Sequence, residues 1–243
     1  MPAGKARKPP TAAAMGESLS AVGAPLFDAQ GERLGWVREP EAQPAKATIV
    51  VFHGNAGCAH HHGPLADRLA ERGWRVVSAE YPGYCGRPGK ASVDAILDDA
   101  ARQLDAARAL QADAPLVAGG YSLGAAVAAA AARRREVGGL LLVTPWASFA
   151  SLAQHHYPFL PARLLARRDL ETIEALAQAP RQGEAVVLVG AARDTIIPVQ
   201  QARQLAERYP AALYLELPEA GHNDWIDCMR AADWDAIVAR LER

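Results

Sequence analysis

The residues best suited to chemistry form the sequence Gly120-Tyr121-Ser122-Leu123-Gly124, a G-x-S-x-G motif. The motif follows an apolar run that begins at Leu116 and opens an alanine-rich segment, so the serine is expected at a turn between a strand and a helix. Such a turn exposes the serine hydroxyl, and the flanking glycines let the backbone and the helix approach closely. A glycine-rich turn before a buried helix would have the same sequence pattern. Assigning Ser122 as a nucleophile therefore requires partner residues elsewhere in the chain.

Two residues further along the chain have the types that a nucleophilic serine needs. A serine hydroxyl is a poor nucleophile at neutral pH, and it requires a histidine base and an acid that orients the histidine. Asp194 follows an apolar run that begins at Val186, and His222 follows a run that ends at Leu217. Taken singly, each is more typical of a turn aspartate or a surface histidine. Together, Ser122, Asp194 and His222 occur in the order Ser, Asp, His, each beyond a different predicted strand, which predicts a catalytic triad.

Acyl transfer by such a serine also needs two N–H groups that stabilise the negative oxygen of the tetrahedral intermediate. One is expected from the backbone of Leu123, directly after the nucleophile. The other is expected from the loop His53-Gly54-Asn55-Ala56-Gly57, which follows an apolar run, and the backbone N–H of Asn55 is the candidate donor. The residues predicted to shape a substrate pocket are Tyr84, Tyr121, Trp146 and Phe149.

Strand and helix patterns alternate along the chain and must position these residues. This alternation favours an α/β fold with a mostly parallel central sheet and helices on both faces. In such a sheet ligands bind beyond the carboxyl ends of the strands, where the candidate residues lie. The predicted strands cover 33–37, 48–52, 75–79, 116–119, 140–143, 186–189 and 213–217, and the predicted helices cover 64–72, 92–110, 123–134, 198–208 and 224–241.

The chain is expected to form a single domain, because 243 residues suffice to bury one large core. Residues 1–22, rich in Pro, Ala, Gly and Ser, are expected to be a mobile lead-in, and residues 23–243 form the predicted domain. One long interval, 146–182, separates two strands and carries Pro158, Pro161 and several aromatic residues, so it is expected to be a cap inserted over the site. Its apolar side chains favour a hydrophobic acyl group.

Composition excludes several classes of function. The 26 basic and 27 acidic residues give a net charge of −1 without a basic run, so nucleic acid is not an expected partner. No run of about 18 apolar residues occurs, which predicts no integral membrane segment. The three cysteines are widely spaced and odd in number, which predicts no disulfide framework and a reducing, cytoplasmic compartment.

A run of three histidines, His60-His61-His62, beside Cys58 could suggest a metal site. Residues one apart on a helix point in different directions, and no second ligand pair follows at a useful spacing. The run is therefore predicted to be a solvated helix start, and no metal or organic cofactor is expected.

With these motifs, the chain from about Glu32 to its end resembles the serine hydrolases of the α/β-hydrolase superfamily, in the subgroup with a His-Gly-Asn-Ala-Gly oxyanion loop. It is similar to Bem46-like and ABHD17-type hydrolases, whose better-known relatives cleave thioesters of fatty-acylated proteins. The resemblance implies an α/β-hydrolase fold with a short cap insertion and hydrolysis of an ester or thioester through an acyl-enzyme. A departure from the family is Cys85, where glycine is common, which adds a thiol near the expected cleft. The residues that carry the resemblance are 52–57, 81–84, 120–124, 190–198 and 221–224.

The expected substrate is thus a small-molecule or lipid-like acyl ester or thioester. Two other interpretations stay open. A non-catalytic binding module could have the same fold, and a serine peptidase or acyltransferase would use the same three residues. The sequence does not distinguish oligomeric states.

Overall fold

A computed structural model describes residues 23–157, 170–177 and 185–242 of the chain. Its eight strands form one sheet in the order β1-β2-β4-β3-β5-β6-β7-β8. Strand β2 runs antiparallel to both of its neighbours, whereas β3 to β8 run parallel. The strands are β1 (Ala24–Phe27), β2 (Arg33–Arg38), β3 (Ala47–Phe52), β4 (Trp74–Ala79), β5 (Leu116–Tyr121), β6 (Gly139–Val143), β7 (Ala185–Ala191) and β8 (Leu213–Leu217).

Helices pack on both faces of this sheet. Within the described residues they are a 3-10 helix (Ala59–His62) and α1 (Gly63–Ala70), α2 (Val93–Leu110), α3 (Leu123–Ala132), α4 (Phe149–His156), α5 (Thr172–Leu176), α6 (Gln200–Arg208), α7 (Trp225–Cys228) and α8 (Ala231–Leu241). None of these helices combines the length and the apolar character needed to cross a membrane. The lead-in (1–22) and part of the predicted cap (158–169 and 178–182) lie outside the described residues.

The core consists of two layers, because alternate residues of a strand point to opposite faces of the sheet. In β3, Val50 and Phe52 pack with α2, α3, α5 and α6, and we call this the α2–α3 face. Ile49 and Val51 pack with α1, α7 and α8, and we call this the α1–α8 face. All six residues of β3 are buried, as expected for a parallel strand covered on both sides.

All seven predicted strands are present, with boundaries that differ by at most two residues. Strand β1 was not predicted, because only Leu26 of its four residues is buried and no alternating pattern reveals it. The helix predicted over 224–241 is wrong in one respect, since it is divided into α7 and α8. Between them Met229 is extended, and the carboxylate of Asp233 accepts the backbone N–H of Arg230 at 2.9 Å, which begins a new helix.

The parallel register brings the carboxyl ends of the central strands to one edge of the sheet. Phe52 of β3 pairs with Gly120 of β5, and Tyr121 pairs with Val143 of β6. On the far side, Ala191 of β7 pairs with Leu217 of β8. The loops that follow β3, β5, β7 and β8 therefore meet above the same edge.

Candidate active site

Ser122 occupies the sharp turn between β5 and α3. Its backbone has φ 55° and ψ −122°, a conformation that costs a non-glycine residue on the order of 1–3 kcal/mol. The surrounding packing requires the two motif glycines: a Cβ atom on Gly124 would lie 1.9 Å from the carbonyl oxygen of Phe52, and one on Gly120 would lie 2.3 Å from that of Gly124. The small residues thus let α3 approach β3 and hold the serine in its strained turn.

The structure brings together the three residues predicted to form a triad. Nε2 of His222 lies 3.0 Å from Oγ of Ser122, and Nδ1 of His222 lies 2.6 Å from Oδ2 of Asp194. The side chain of Asp194 is 1% exposed, and that of His222 is 9% exposed. A hydroxyl, an imidazole and a shielded carboxylate that contact one another in this order allow a proton to pass from the serine to the histidine.

Backbone contacts between the loops after β7 and β8 fix the position of Asp194 relative to His222. The N–H of Ala192 donates to Leu217 at 3.0 Å, and that of Arg193 donates to Ala220 at 2.8 Å. Within its own loop, Oδ1 of Asp194 accepts the N–H groups of Ile196 and Ile197, both at 2.8 Å. These residues have no sequence signature beyond their place after a strand.

The loop after β3 rests on a buried pair of side chains that the sequence motifs do not reveal. His53 and Glu80 are both fully buried, and Nε2 of His53 lies 3.0 Å from Oε1 of Glu80. The other carboxylate oxygen accepts the N–H of Ala59 at 3.0 Å. Tyr81 donates its hydroxyl to the carbonyl of His53 at 3.0 Å, and burial raises the pKa of Tyr81 well above its usual value, so the phenol stays protonated. A glutamate at the end of a buried strand could have signalled this pair.

Asn55 and Leu123, the two predicted oxyanion donors, lie in the loop after β3 and at the start of α3. Asn55 is exposed at the tip of the loop after β3, and Leu123 is the first residue of α3. The first N–H groups of a helix have no partner within the helix, so that of Leu123 can serve an external acceptor. The hydroxyl of Tyr84 donates to Oδ1 of Asn55 at 3.2 Å, which joins this predicted pocket residue to the loop.

Of the other three predicted pocket residues, Tyr121 lies on one face of the sheet, and Trp146 and Phe149 lie on the other. Tyr121 is packed on the α1–α8 face, and burial raises its pKa. Trp146 is buried on the α2–α3 face, where its Nε1 donates to the carbonyl of Leu170 at 2.7 Å. Phe149 packs on Trp146 with ring centroids 5.4 Å apart and is 37% exposed, so Phe149 is the member of this pair that reaches the surface.

The prediction that the chain has no disulfide is wrong, because Cys58 and Cys85 are bonded to each other. Cys58 follows the loop after β3, and Cys85 follows Tyr84 in the loop after β4. These strands are parallel neighbours, so their loops meet, and the two Cα atoms lie 6.0 Å apart. The separation of 27 residues in sequence conceals this proximity. Cys228 is a free thiol.

The predicted solvated histidine run is also partly wrong. His61 is exposed, whereas His62 is buried with 1% exposure. The 3-10 helix turns His62 inward against the ring of Tyr121, with centroids 5.9 Å apart. Burial, together with the nearby rings of His53 and His61, lowers the pKa of His62 well below its usual value, so its imidazole is neutral.

Among the described residues, one group of metal-type ligands lies together: Cys58, Glu80 and Cys85. Both sulfur atoms belong to the disulfide, and both carboxylate oxygens of Glu80 already face donors. This donor set does not fit a resident metal ion.

Comparisons of sequence place the chain among known proteins. A family model described as Hydrolase_4, serine aminopeptidase S33, matches residues 43–169. The protein Rv2307c of Mycobacterium tuberculosis strain H37Rv, which is described as uncharacterized, is 32% identical over 197 residues. That match covers 80% of this chain and 69% of the relative.

Solved structures show the same architecture. Est1E from Butyrivibrio proteoclasticus, solved with ferulic acid bound, superposes with a TM-score of 0.74 at 17% identity, covering 90% of this chain and all (100%) of the other. An alpha-beta serine hydrolase homologue from Coxiella burnetii superposes with a TM-score of 0.62 at 16% identity, covering 90% and 94% of the two chains. The predicted α/β-hydrolase fold is thereby confirmed.

Proposed function

Since the chain belongs to the Hydrolase_4 (serine aminopeptidase S33) family of α/β-hydrolases, we propose that it is a serine hydrolase that cleaves esters or thioesters through an acyl-enzyme. The contacts of His222 carry this proposal: its ring lies 3.0 Å from Oγ of Ser122 and 2.6 Å from Oδ2 of Asp194. The His-Gly-Asn-Ala-Gly loop supports membership of the subgroup that shares it.

In the proposed reaction, Oγ of Ser122 attacks the substrate carbonyl while Nε2 of His222 accepts the hydroxyl proton. The carbonyl oxygen becomes an oxyanion that accepts hydrogen bonds from the N–H groups of Leu123 and Asn55. His222 then donates its proton to the leaving alcohol or thiol, which departs from the acyl-enzyme. Asp194 holds the imidazole in the required tautomer and stabilises its cation.

Water completes the proposed cycle. His222 removes a proton from a water molecule that attacks the acyl group on Ser122, and a second oxyanion forms in the same place. Collapse of this intermediate releases the carboxylic acid, and the proton returns to the serine. The bonds broken and formed need no redox partner.

Residues on the α2–α3 face of the sheet support a hydrophobic acyl group. The aromatic pair of Trp146 and Phe149 begins the insertion 146–182, which we propose acts as a cap. Phe149 offers an exposed apolar surface at that point. Burial of apolar substrate area against such a wall would stabilise binding by about 25 cal/mol per Å².

The description of the family as serine aminopeptidases makes peptide cleavage a second candidate function. An aminopeptidase must also bind the ammonium group of its substrate, for which a carboxylate is the natural partner. The buried carboxylates Glu80 and Asp194 each already contact a histidine, so we favour the ester or thioester substrate.

A series of p-nitrophenyl esters from acetate to palmitate tests the proposal. We expect turnover by the wild-type protein, an optimum in acyl length that reports the size of the acyl pocket, and loss of turnover in Ser122→Ala. Ser92→Ala is a matched control, because Ser92 is exposed at the start of α2 and outside the proposed site, and its activity should equal that of wild type.

Labelling with a fluorophosphonate separates hydrolysis from binding alone. Mass spectrometry should find the label on Ser122 of the folded protein. An unlabelled Ser122 in a protein without ester turnover would favour a binding module, and p-nitrophenyl ester turnover that persists in Ser122→Ala would overturn the triad assignment. Parallel assays with aminoacyl p-nitroanilides report any peptidase activity.

A further inference from the structure

His62 is a buried polar residue that the proposed chemistry does not use. It is the last residue of the 3-10 helix, it is 1% exposed, and neither ring nitrogen has a hydrogen-bond partner among the described residues. A neutral imidazole presents one N–H donor and one bare nitrogen acceptor. Buried groups of this kind are nearly always satisfied, so His62 has unmet capacity for a ligand or a bound water.

A cavity of about 230 Å³ lies against this ring. Among the residues that the structure describes, its other walls are rings, aliphatic side chains and one amide, with no aspartate, glutamate, lysine or arginine. The described lining residues are His61, His62, Pro64, Leu65, Tyr121, Asn223, Trp225 and Ile226. This lining fits an uncharged group that has apolar atoms and at least one hydrogen-bonding atom. The volume is below the range of about 300–1,000 Å³ for whole small-molecule ligands, so it suits one part of a substrate.

Two residues that line the cavity are chain neighbours of triad residues. Tyr121 directly precedes Ser122, and Asn223 directly follows His222. A Cβ atom on Gly54 would lie 2.9 Å from the ring of Tyr121 and 3.4 Å from Cβ of Ser122, so the tyrosine ring and the serine lie side by side under the same loop. The Tyr121 wall of the cavity therefore lies beside the nucleophile.

The cavity and the aromatic pair of the insertion lie on opposite faces of the sheet. Tyr121 and Trp225 belong to the α1–α8 face, whereas Trp146 belongs to the α2–α3 face. A scissile ester likewise has two parts, one on each side of its carbonyl carbon. If the acyl group lies toward the insertion, the leaving group extends toward the cavity.

We propose that this cavity binds the leaving group of the substrate and that His62 selects an uncharged alcohol carrying a second hydrogen-bonding group, such as a hydroxyl. This inference rests on the proposed function, because it names the leaving-group class for the same site. His62 is a specificity-determining residue here: it contacts the distal end of the leaving group and takes no part in proton transfer.

Two butyrate esters of nearly equal size provide the kinetic test. 2-Hydroxyethyl butyrate and propyl butyrate differ only in a terminal hydroxyl in place of a methyl group. One hydrogen bond contributes about 0.5–1.5 kcal/mol net, so we expect the wild-type kcat/KM to favour the hydroxyethyl ester by about three- to tenfold. His62→Phe should abolish this preference, mainly through KM, while kcat for propyl butyrate changes little.

His60→Phe is the matched control, because His60 lies two residues before His62 in the same 3-10 helix and does not line the cavity. It should retain the wild-type preference. His62→Gln, which keeps a donor and an acceptor, should retain part of the preference, and this rescue distinguishes hydrogen bonding from a change in packing. Equal preference in wild type and His62→Phe would overturn the inference while leaving ester hydrolysis established.

Binding without turnover separates the two proposals. In Ser122→Ala, NMR titration with each ester should give tighter binding of 2-hydroxyethyl butyrate, with perturbed resonances of His62 and Trp225. The double variant Ser122→Ala/His62→Phe should bind both esters equally. If wild type binds in this way but neither turns over ester nor accepts a fluorophosphonate, the proposed function fails and the cavity assignment stands. Equal binding of the two esters by Ser122→Ala would overturn the cavity assignment.

Discussion

Oδ2 of Asp194 lies 2.6 Å from Nδ1 of His222, while the other carboxylate oxygen accepts two backbone N–H groups of its own loop. Because an ionised carboxylate only accepts hydrogen bonds, Nδ1 of the neutral imidazole must carry the ring proton. Nε2 is then left as the base that faces Ser122 at 3.0 Å. The backbone contacts prevent the carboxylate from turning, so one side chain sets both the tautomer and the direction of the imidazole.

Asp194→Asn tests this relationship. The amide can keep the loop contacts, but it loses the charge and can present a donor to Nδ1. We expect kcat for p-nitrophenyl butyrate to fall by about 10³–10⁴-fold with little change in KM, as is typical when a triad acid is replaced by its amide. Asp227→Asn, at an exposed position of α7, should leave kcat unchanged. Retention of more than a tenth of wild-type kcat in Asp194→Asn would contradict this role.

The close approach of α3 to β3 gives a prediction about stability. In Gly124→Ala the added methyl group would meet the backbone of Phe52 at 1.9 Å, and a backbone cannot move aside as a flexible side chain can. We expect the free energy of unfolding, from urea denaturation, to fall by at least about 3 kcal/mol. Gly138→Ala is the control, since a Cβ atom there would lie 3.7 Å from the carbonyl oxygen of Leu116, and it should change the free energy of unfolding by less than about 1 kcal/mol. Equal effects of the two substitutions would contradict the packing.

The sequence predicts features that depend on neighbouring residues in the chain, and it does not predict those that depend on which strands pack side by side. The buried strands and the post-strand positions of Ser122, Asp194 and His222 are local features, so patterns of apolar residues reveal them. The buried contact of Glu80 with His53 and the disulfide of Cys58 depend instead on β3 and β4 being neighbours. Strand order is set by packing of the whole sheet, and no local pattern in the chain encodes it.

The disulfide should contribute measurably to stability. It closes a loop with a sequence separation of 27, and restricting the unfolded chain in this way corresponds to about 3.5 kcal/mol in the chain-entropy model. We expect Cys58→Ser and Cys85→Ser each to lower the free energy of unfolding by about 2–4 kcal/mol, and the double variant to lower it no further. Cys228→Ser removes a free thiol and should have little effect.

The same comparison can be made without mutation. Alkylation after denaturation should modify one cysteine in the oxidised protein and three after reduction with dithiothreitol. Reduction should lower the stability of wild type to that of the double variant. If the oxidised and reduced proteins unfold at the same urea concentration, the disulfide does not constrain the chain as expected.

His62 should make stability depend on pH in a definite direction. Its pKa in the folded protein is well below the ordinary value of 6.5, so the unfolded chain binds a proton at this residue more readily than the folded chain does. The free energy of unfolding rises with pH wherever the unfolded state holds more protons. The contribution of the neutral His62 is therefore lost progressively as the pH falls below about 6.5. One such group contributes a slope of up to about 1.4 kcal/mol per pH unit in this window.

Urea unfolding of wild type and His62→Phe at pH 7.5, 6.5 and 5.5 measures this slope directly. Phenylalanine has nearly the same shape and no titrating proton, so the stability of the variant should fall less steeply between pH 6.5 and 5.5. His155→Phe, at an exposed position of α4, should keep the wild-type slope. A steeper slope in His62→Phe would mean that the folded protein protonates His62, and a charged ring could not serve as the neutral partner of a leaving alcohol.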